Sequence, residues 1–195
     1  VKKTTALRGG RTGFADVRTV RKLAAIMLPV YRTVAVDRRY ARSFSKAVAA
    51  ADLKRIERLL GAVSPGTAGL PVAANGIGYF VSYPLARGGG LLTNGTTIPP
   101  GTAHFLFGTR AHRAVARALL PLYRELAGNP CFAAAFVKAV GGRQGEVVRK
   151  MIRGAVRSPA LRSVDVGVED GGVALLFRFR FSKYRYRNLL FRERV

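Results

Sequence analysis

LPVYRTVAVDRRYARSFSKAV, residues 28–48, recurs as LPLYRELAGNPCFAAAFVKAV at residues 120–140, at a constant offset of 92 positions with no gap. Ten of the 21 aligned pairs are identical, among them Leu28/Leu120, Pro29/Pro121, Tyr31/Tyr123, Arg32/Arg124, Phe44/Phe136 and Lys46/Lys138. Self-similarity at a fixed spacing makes the repeat the unit to be folded. The chain therefore reads as an internal duplication. Most of the shared residues are apolar or aromatic and define packing, and two copies of one surface suit a repetitive partner better than a single small substrate.

Working outward, Leu23, Met27, Val30 and Val34 step by four, three and four, and the same offset maps them onto Val115, Leu119, Leu122 and Leu126. Each set is one stripe of an amphipathic helix. Pro29 and Pro121 fall inside the stripe, where a proline removes a helical hydrogen bond, so each first helix is expected to kink or begin anew there. Second helices follow at about 38–50 and 130–141, the latter opened by Asn129-Pro130. Third helices span about 51–63 and 143–157, with Ile56, Leu59 and Leu60 matched by Val148, Met151 and Ile152.

Beyond the helices both halves turn extended. Gly69–Ala74 and Ile77–Tyr83 flank Asn75-Gly76; Ser163–Glu169 and Val173–Phe181 flank Asp170-Gly171. Asn-Gly and Asp-Gly between apolar runs are strong hairpin signals. The expected fold class is α+β, a helix-helix-helix-hairpin unit used twice, its hairpins joining into a four-stranded antiparallel sheet or packing back to back, with helices on one face. The organisation that follows is a basic arm at 1–14, a first repeat at 15–86, a Gly/Pro-rich connector at 87–109 and a second repeat at 110–195. Within the connector a short strand is expected at Ala103–Phe107.

The chain holds 34 Lys+Arg against 10 Asp+Glu, a formal charge of +24, with 49% hydrophobic residues. That apolar share excludes global disorder. The charge attracts polyanions and disfavours self-contact. A GC-rich genome accounts for part of the preference for Arg over Lys; the shortage of acids points to a polyanionic partner or an acidic neighbouring subunit. One cysteine, Cys131, excludes an intramolecular disulfide framework. The apolar runs are too short for a membrane helix, and the basic opening Val1–Gly13 lacks the apolar middle of a secretion signal, so a cytoplasmic or particle-associated location is expected.

Cations gather at three places. The arm carries Lys2, Lys3, Arg8 and Arg11. The last helix carries Arg149, Lys150, Arg153 and Arg157, with a four-residue step that makes a positive ridge. The tail alternates Phe177-Arg178-Phe179-Arg180-Phe181 and then Lys183-Tyr184-Arg185-Tyr186-Arg187 with its parity reversed. A turn or bulge at Ser182-Lys183 would reset the register and start a third strand ending in Asn188–Phe191. The three phenylalanines read as the inward face of a half-wet strand. The arginines, with Tyr184 and Tyr186 stacking on bases, read as a surface for single-stranded nucleic acid.

Catalytic chemistry is missing from the pattern. His104 and His112 fall in no metal-ligand spacing, the acids are scattered, and Gly9–Gly13 lacks the strand and spacing of a phosphate-binding loop. No cofactor, metal site or catalytic residue is expected. The function expected is a non-enzymatic structural protein binding nucleic acid or another polyanion without sequence preference. The alternative is a self-assembling subunit of a coat, filament or particle, a homo-oligomer whose termini dock on neighbouring copies.

Overall fold

A computed structural model describes residues 13–86, 89–99, 106–169 and 171–193. Among these residues, six α-helices, one 3₁₀ turn and six strands follow in the order α1 (Val17–Val36), α2 (Arg38–Ala49), α3 (Leu53–Val63), the turn Pro65–Thr67, β1 (Val72–Ala74), β2 (Gly78–Pro84), β3 (Leu91–Thr97), α4 (Thr109–Gly128), α5 (Pro130–Gly141), α6 (Gly145–Ala155), β4 (Leu161–Val168), β5 (Gly172–Arg178) and β6 (Arg185–Glu193).

The helix starts follow from short polar side chains placed where free N–H groups need acceptors. Asp16 accepts from Thr19 N at 2.9 Å, Asp37 from the backbone of Arg39 and Tyr40, Asp52 from Arg55 N, and Asn129 from Phe132 N. Neither first helix begins anew at its proline. Pro29 and Pro121 lie inside continuous 20-residue helices. The carbonyls they leave unpaired, four residues earlier at Ala25 and Arg117, belong to exposed residues, so water can satisfy them. Ala51 and Arg143, 92 positions apart, both take positive φ, at 50° and 54°, where the second helix turns into the third.

The strands form one antiparallel sheet of six, ordered β1-β2-β3-β6-β5-β4, not a sheet of four. The added strands are β3 and β6, paired at its centre. β6 is the strand expected after the Ser182-Lys183 turn. β3 was not expected: LLTNGTT lies in the stretch read as connector, where Asn94-Gly95 suggests a turn. It is a strand because it finds full-length antiparallel partners on both sides, β2 and β6. The strand expected at Ala103–Phe107 falls mostly outside the described residues, and Leu106 and Phe107 belong to no strand.

All six helices pack on one face. Tyr79, Val81, Leu92, Leu175, Phe177, Tyr186 and Leu190 point from the sheet into a single core with Leu23, Val30, Leu119 and Leu126 from α1 and α4. The two long helices run antiparallel, and each is capped by the other. Arg21 donates to Ala127 O at the end of α4, and Arg113, 92 positions later, donates to Ala35 O at the end of α1. Cations at carbonyl ends complement the helix dipole.

Beneath this pair lies a closed hydrogen-bond ring. Tyr31 donates to Asn94 Oδ1 (2.7 Å), Asn94 Nδ2 to Tyr123, Tyr123 to Asn188 Oδ1 (3.2 Å), and Asn188 Nδ2 back to Tyr31 (2.9 Å). All four residues are at most 1% exposed. The amides also donate to Leu189 O and Gly95 O, residues paired with each other in the β3–β6 ladder. Burial holds both phenols neutral by raising their pKa.

Candidate nucleic-acid interface

The face of the sheet turned away from the helices presents Phe80, Leu176 and Phe191, half-buried and outside the core cluster. Two glycines lie against these aromatics: a Cβ at Gly95 would overlap the Phe80 ring, and one at Gly172 would overlap Cβ and Cα of Phe191. Glycine lets each aromatic lie close to the backbone of the next strand.

Strand register places the tail cations at one end of this face. Arg178 of β5 and Arg185 of β6 are direct cross-strand partners, and both are exposed. Because Phe177 and its partner Tyr186 point into the core, the neighbouring arginine pair points away from the helices. Arg187 lies two residues along the same face, between Leu176 and Thr97. Like charges directly opposite each other destabilise a sheet. An anion seated between them would reverse the sign of that term.

The turn between β5 and β6 adds Arg180 and Lys183, both exposed. Ser182 ties it, accepting from Tyr184 N at 3.2 Å and donating to Tyr184 O at 3.1 Å. Lys183 Nζ sits 5.1 Å from the half-buried Tyr184 ring. Phe177 and Phe179 point inward as expected, but Phe181 is 42% exposed, because β5 ends at Arg178. Its ring extends a parallel ladder, with centroids 6.2 Å and then 5.2 Å apart, and Arg110 caps it at 4.0 Å.

Two of the expected features need correction. Tyr186 offers no stacking surface: it is 1% exposed, packs against Phe107 and accepts from Gly108 N at 3.0 Å. The reset of register that brings the rings to one face turns this ring inward. Nor do the cations of α6 form one ridge. Arg149 donates to Val164 O and Arg153 to Arg162 O, both on the edge strand β4. Lys150 instead lines a groove on the helical side, together with Arg157, which lies beyond the helix end. The α6 cations and the tail arginines therefore do not share a face. Lys2, Lys3, Arg8 and Arg11 lie outside the described residues.

Few acids oppose these cations. Asp16, Asp37 and Asp52 are held as helix caps, and Glu125 accepts from Asn129. Among the described residues the one side-chain ion pair is Arg149–Glu146, at 2.5 Å. Sequence reasoning missed the cross-strand placement of Arg178 and Arg185 and the aromatics of the open face. Their signal, the position of the turn between β5 and β6, was present but did not specify the pairing.

His112 is hydrogen-bonded and fully buried among Phe44, Tyr79 and Phe107, with Ser45 Oγ 3.2 Å from Nδ1 and Tyr79 Oη 3.3 Å from Nε2. Burial lowers its pKa to about 3. His104 lies outside the described residues. Among those described, no cluster of His, Cys, Asp and Glu could hold a metal ion, and no helix is long and apolar enough to cross a membrane. No family model, curated protein or solved structure matches the chain.

Proposed function

We propose that this chain is a duplicated, non-enzymatic structural protein that binds nucleic acid through phosphate contacts, using the open sheet face and the β5–β6 turn. Duplication is supported by helices of 20, 12 and 11 residues in both halves, and by a strand order that is unchanged when the halves are exchanged. It is also supported by the offset of 94 between Asn94 and Asn188 in the buried ring.

The observation that carries the reading is the Arg178–Arg185 pair, opposed across two strands with Arg187 beside it and half-exposed aromatics along the same face. A protein gains no stability by opposing two guanidiniums. A phosphate gains two planar donors, and flat rings nearby accept bases without regard to sequence.

The test is fluorescence anisotropy with random duplex and single-stranded oligonucleotides across a salt series, on nuclease-treated protein. Binding at low salt that falls steeply as salt rises is expected, with little dependence on sequence. Absence of binding at low salt refutes the proposal. Light scattering of the same preparation addresses assembly, since large particles free of nucleic acid would favour the coat or filament reading.

A further inference from the structure

We infer that the groove between α4 and α6 is a docking site for an acidic, amphipathic segment of a partner protein. The groove has a volume of about 1220 Å³. Its floor is apolar, formed by Ala118 and Pro121 of α4, Phe132 of α5, Met151 of α6 and Phe179.

The first half shows how such a groove is filled. At the position 92 residues before Ala118 stands Ile26, 6% exposed. Over it folds the 3₁₀ turn Pro65–Thr67: Ser64 Oγ donates to Ile26 O at 2.7 Å, and a Cβ on Gly66 would reach 3.0 Å from the Ile26 side chain. Tyr40 closes the other side by donating to Leu59 O. The second half lacks each of these features. Ala118 is smaller than Ile26, Phe132 has no hydroxyl, and residues 156–160 run directly from α6 to β4 where residues 64–71 bridge α3 to β1. A chain segment occupies one groove; among the described residues none occupies the other, which can take a segment from outside.

The rim fixes the chemistry of that segment. Arg124 projects from α4 beside Arg117, whose guanidinium also donates to Ala35 O, and Lys150 and Arg157 line the groove from α6 and its exit, with Glu125 the one carboxylate lining it. Carboxylates on the incoming segment would meet these cations while its apolar side chains cover the floor, the helix-in-groove mode of recognition. A second copy does not fit, because a chain with 34 Lys+Arg and 10 Asp+Glu offers little to complement a cationic rim. A nucleic-acid strand would leave the apolar floor without apolar partners.

A displayed library of random 12-residue peptides, selected on the full chain, tests this. Enriched peptides are expected to carry Asp or Glu together with two or more large apolar residues at helical spacing. Their binding should fall at least tenfold with Ala118→Ile, which restores the residue of the first half, and with Arg124→Glu. Circular dichroism verifies that both variants fold, and Ala118→Ile should leave oligonucleotide binding unchanged. The inference is overturned if no peptides enrich, if those enriched lack an acidic excess, or if they bind Ala118→Ile as tightly as the parent.

Discussion

Tyr31 and Tyr123, 92 positions apart, meet edge to face with ring centroids 4.8 Å apart and an interplanar angle of 67°. Asn94 and Asn188 stand between them, each amide accepting from one phenol and donating to the other. Both long helices and both central strands are thereby fixed around one buried point. In the low-dielectric interior a ring of donors and acceptors polarises its members in one sense, and each group left unpaired is costly.

Removing one hydroxyl should therefore cost more than an average hydrogen bond. Tyr31→Phe strands Asn94 Oδ1, while Asn188 Nδ2 keeps Gly95 O and Thr96 Oγ1 as acceptors, and a loss of about 1–3 kcal/mol is expected in urea unfolding. Tyr123→Phe should behave alike. In a double-mutant cycle the two losses should fall short of additivity, because the second change breaks a ring already open. Simple additivity would show that the four groups act as separate pairs.

His112 predicts a pH dependence. Its folded pKa, about 3, lies below the ordinary histidine value of 6.5 because burial disfavours the charged form. Between those values the unfolded chain binds a proton that the folded chain refuses, so stability is full above 6.5 and is lost as pH falls. The loss approaches 1.4 kcal/mol per pH unit once the unfolded imidazole is largely charged. Unfolding free energies between pH 6 and pH 5, above the range of ordinary carboxylates, should show this slope in the parent and lose it in His112→Gln. A flat parent profile would count against the buried neutral imidazole.

Gly95 is held free of a side chain by the ring above it. Gly95→Ala places a Cβ against Phe80 and 3.0 Å from Tyr79 O. Overpacking of this kind typically costs about 1–3 kcal/mol. Phe80→Ala in the same chain removes the ring and should recover most of the loss from Gly95→Ala, measured against Phe80→Ala alone by thermal denaturation. Equal penalties in both backgrounds would place the strain in the backbone.

The salt series separates tail cations from background charge. Replacing Arg178, Arg185 and Arg187 together by Gln should lower the slope of log binding constant against log salt by about 2 to 3 if each engages one phosphate of duplex DNA. Arg149→Gln and Arg153→Gln, which release arginines already bonded to β4 carbonyls, should change the slope less. Identical slopes for all variants would move the interface elsewhere.

Much of the fold was legible because its signals are local. Apolar steps of three and four, Asn129-Pro130 and the dipeptides at the two hairpin turns each act within a few residues, and helices and hairpins formed where these signals lie. The cationic excess is likewise a property of composition alone. What the chain's local pattern concealed is non-local. Leu91–Thr97 carries Asn94-Gly95, a turn signal, at its middle, and becomes a central strand only because β2, β6 and the two buried tyrosines supply partners from 7 to 102 positions away. The same dependence on pairing turns Tyr186 inward, sets Arg178 against Arg185 and divides the α6 cations between β4 and a groove. Periodicity determines which residues share a face of an element; only packing against the rest of the molecule decides which face meets the core and which charges become neighbours.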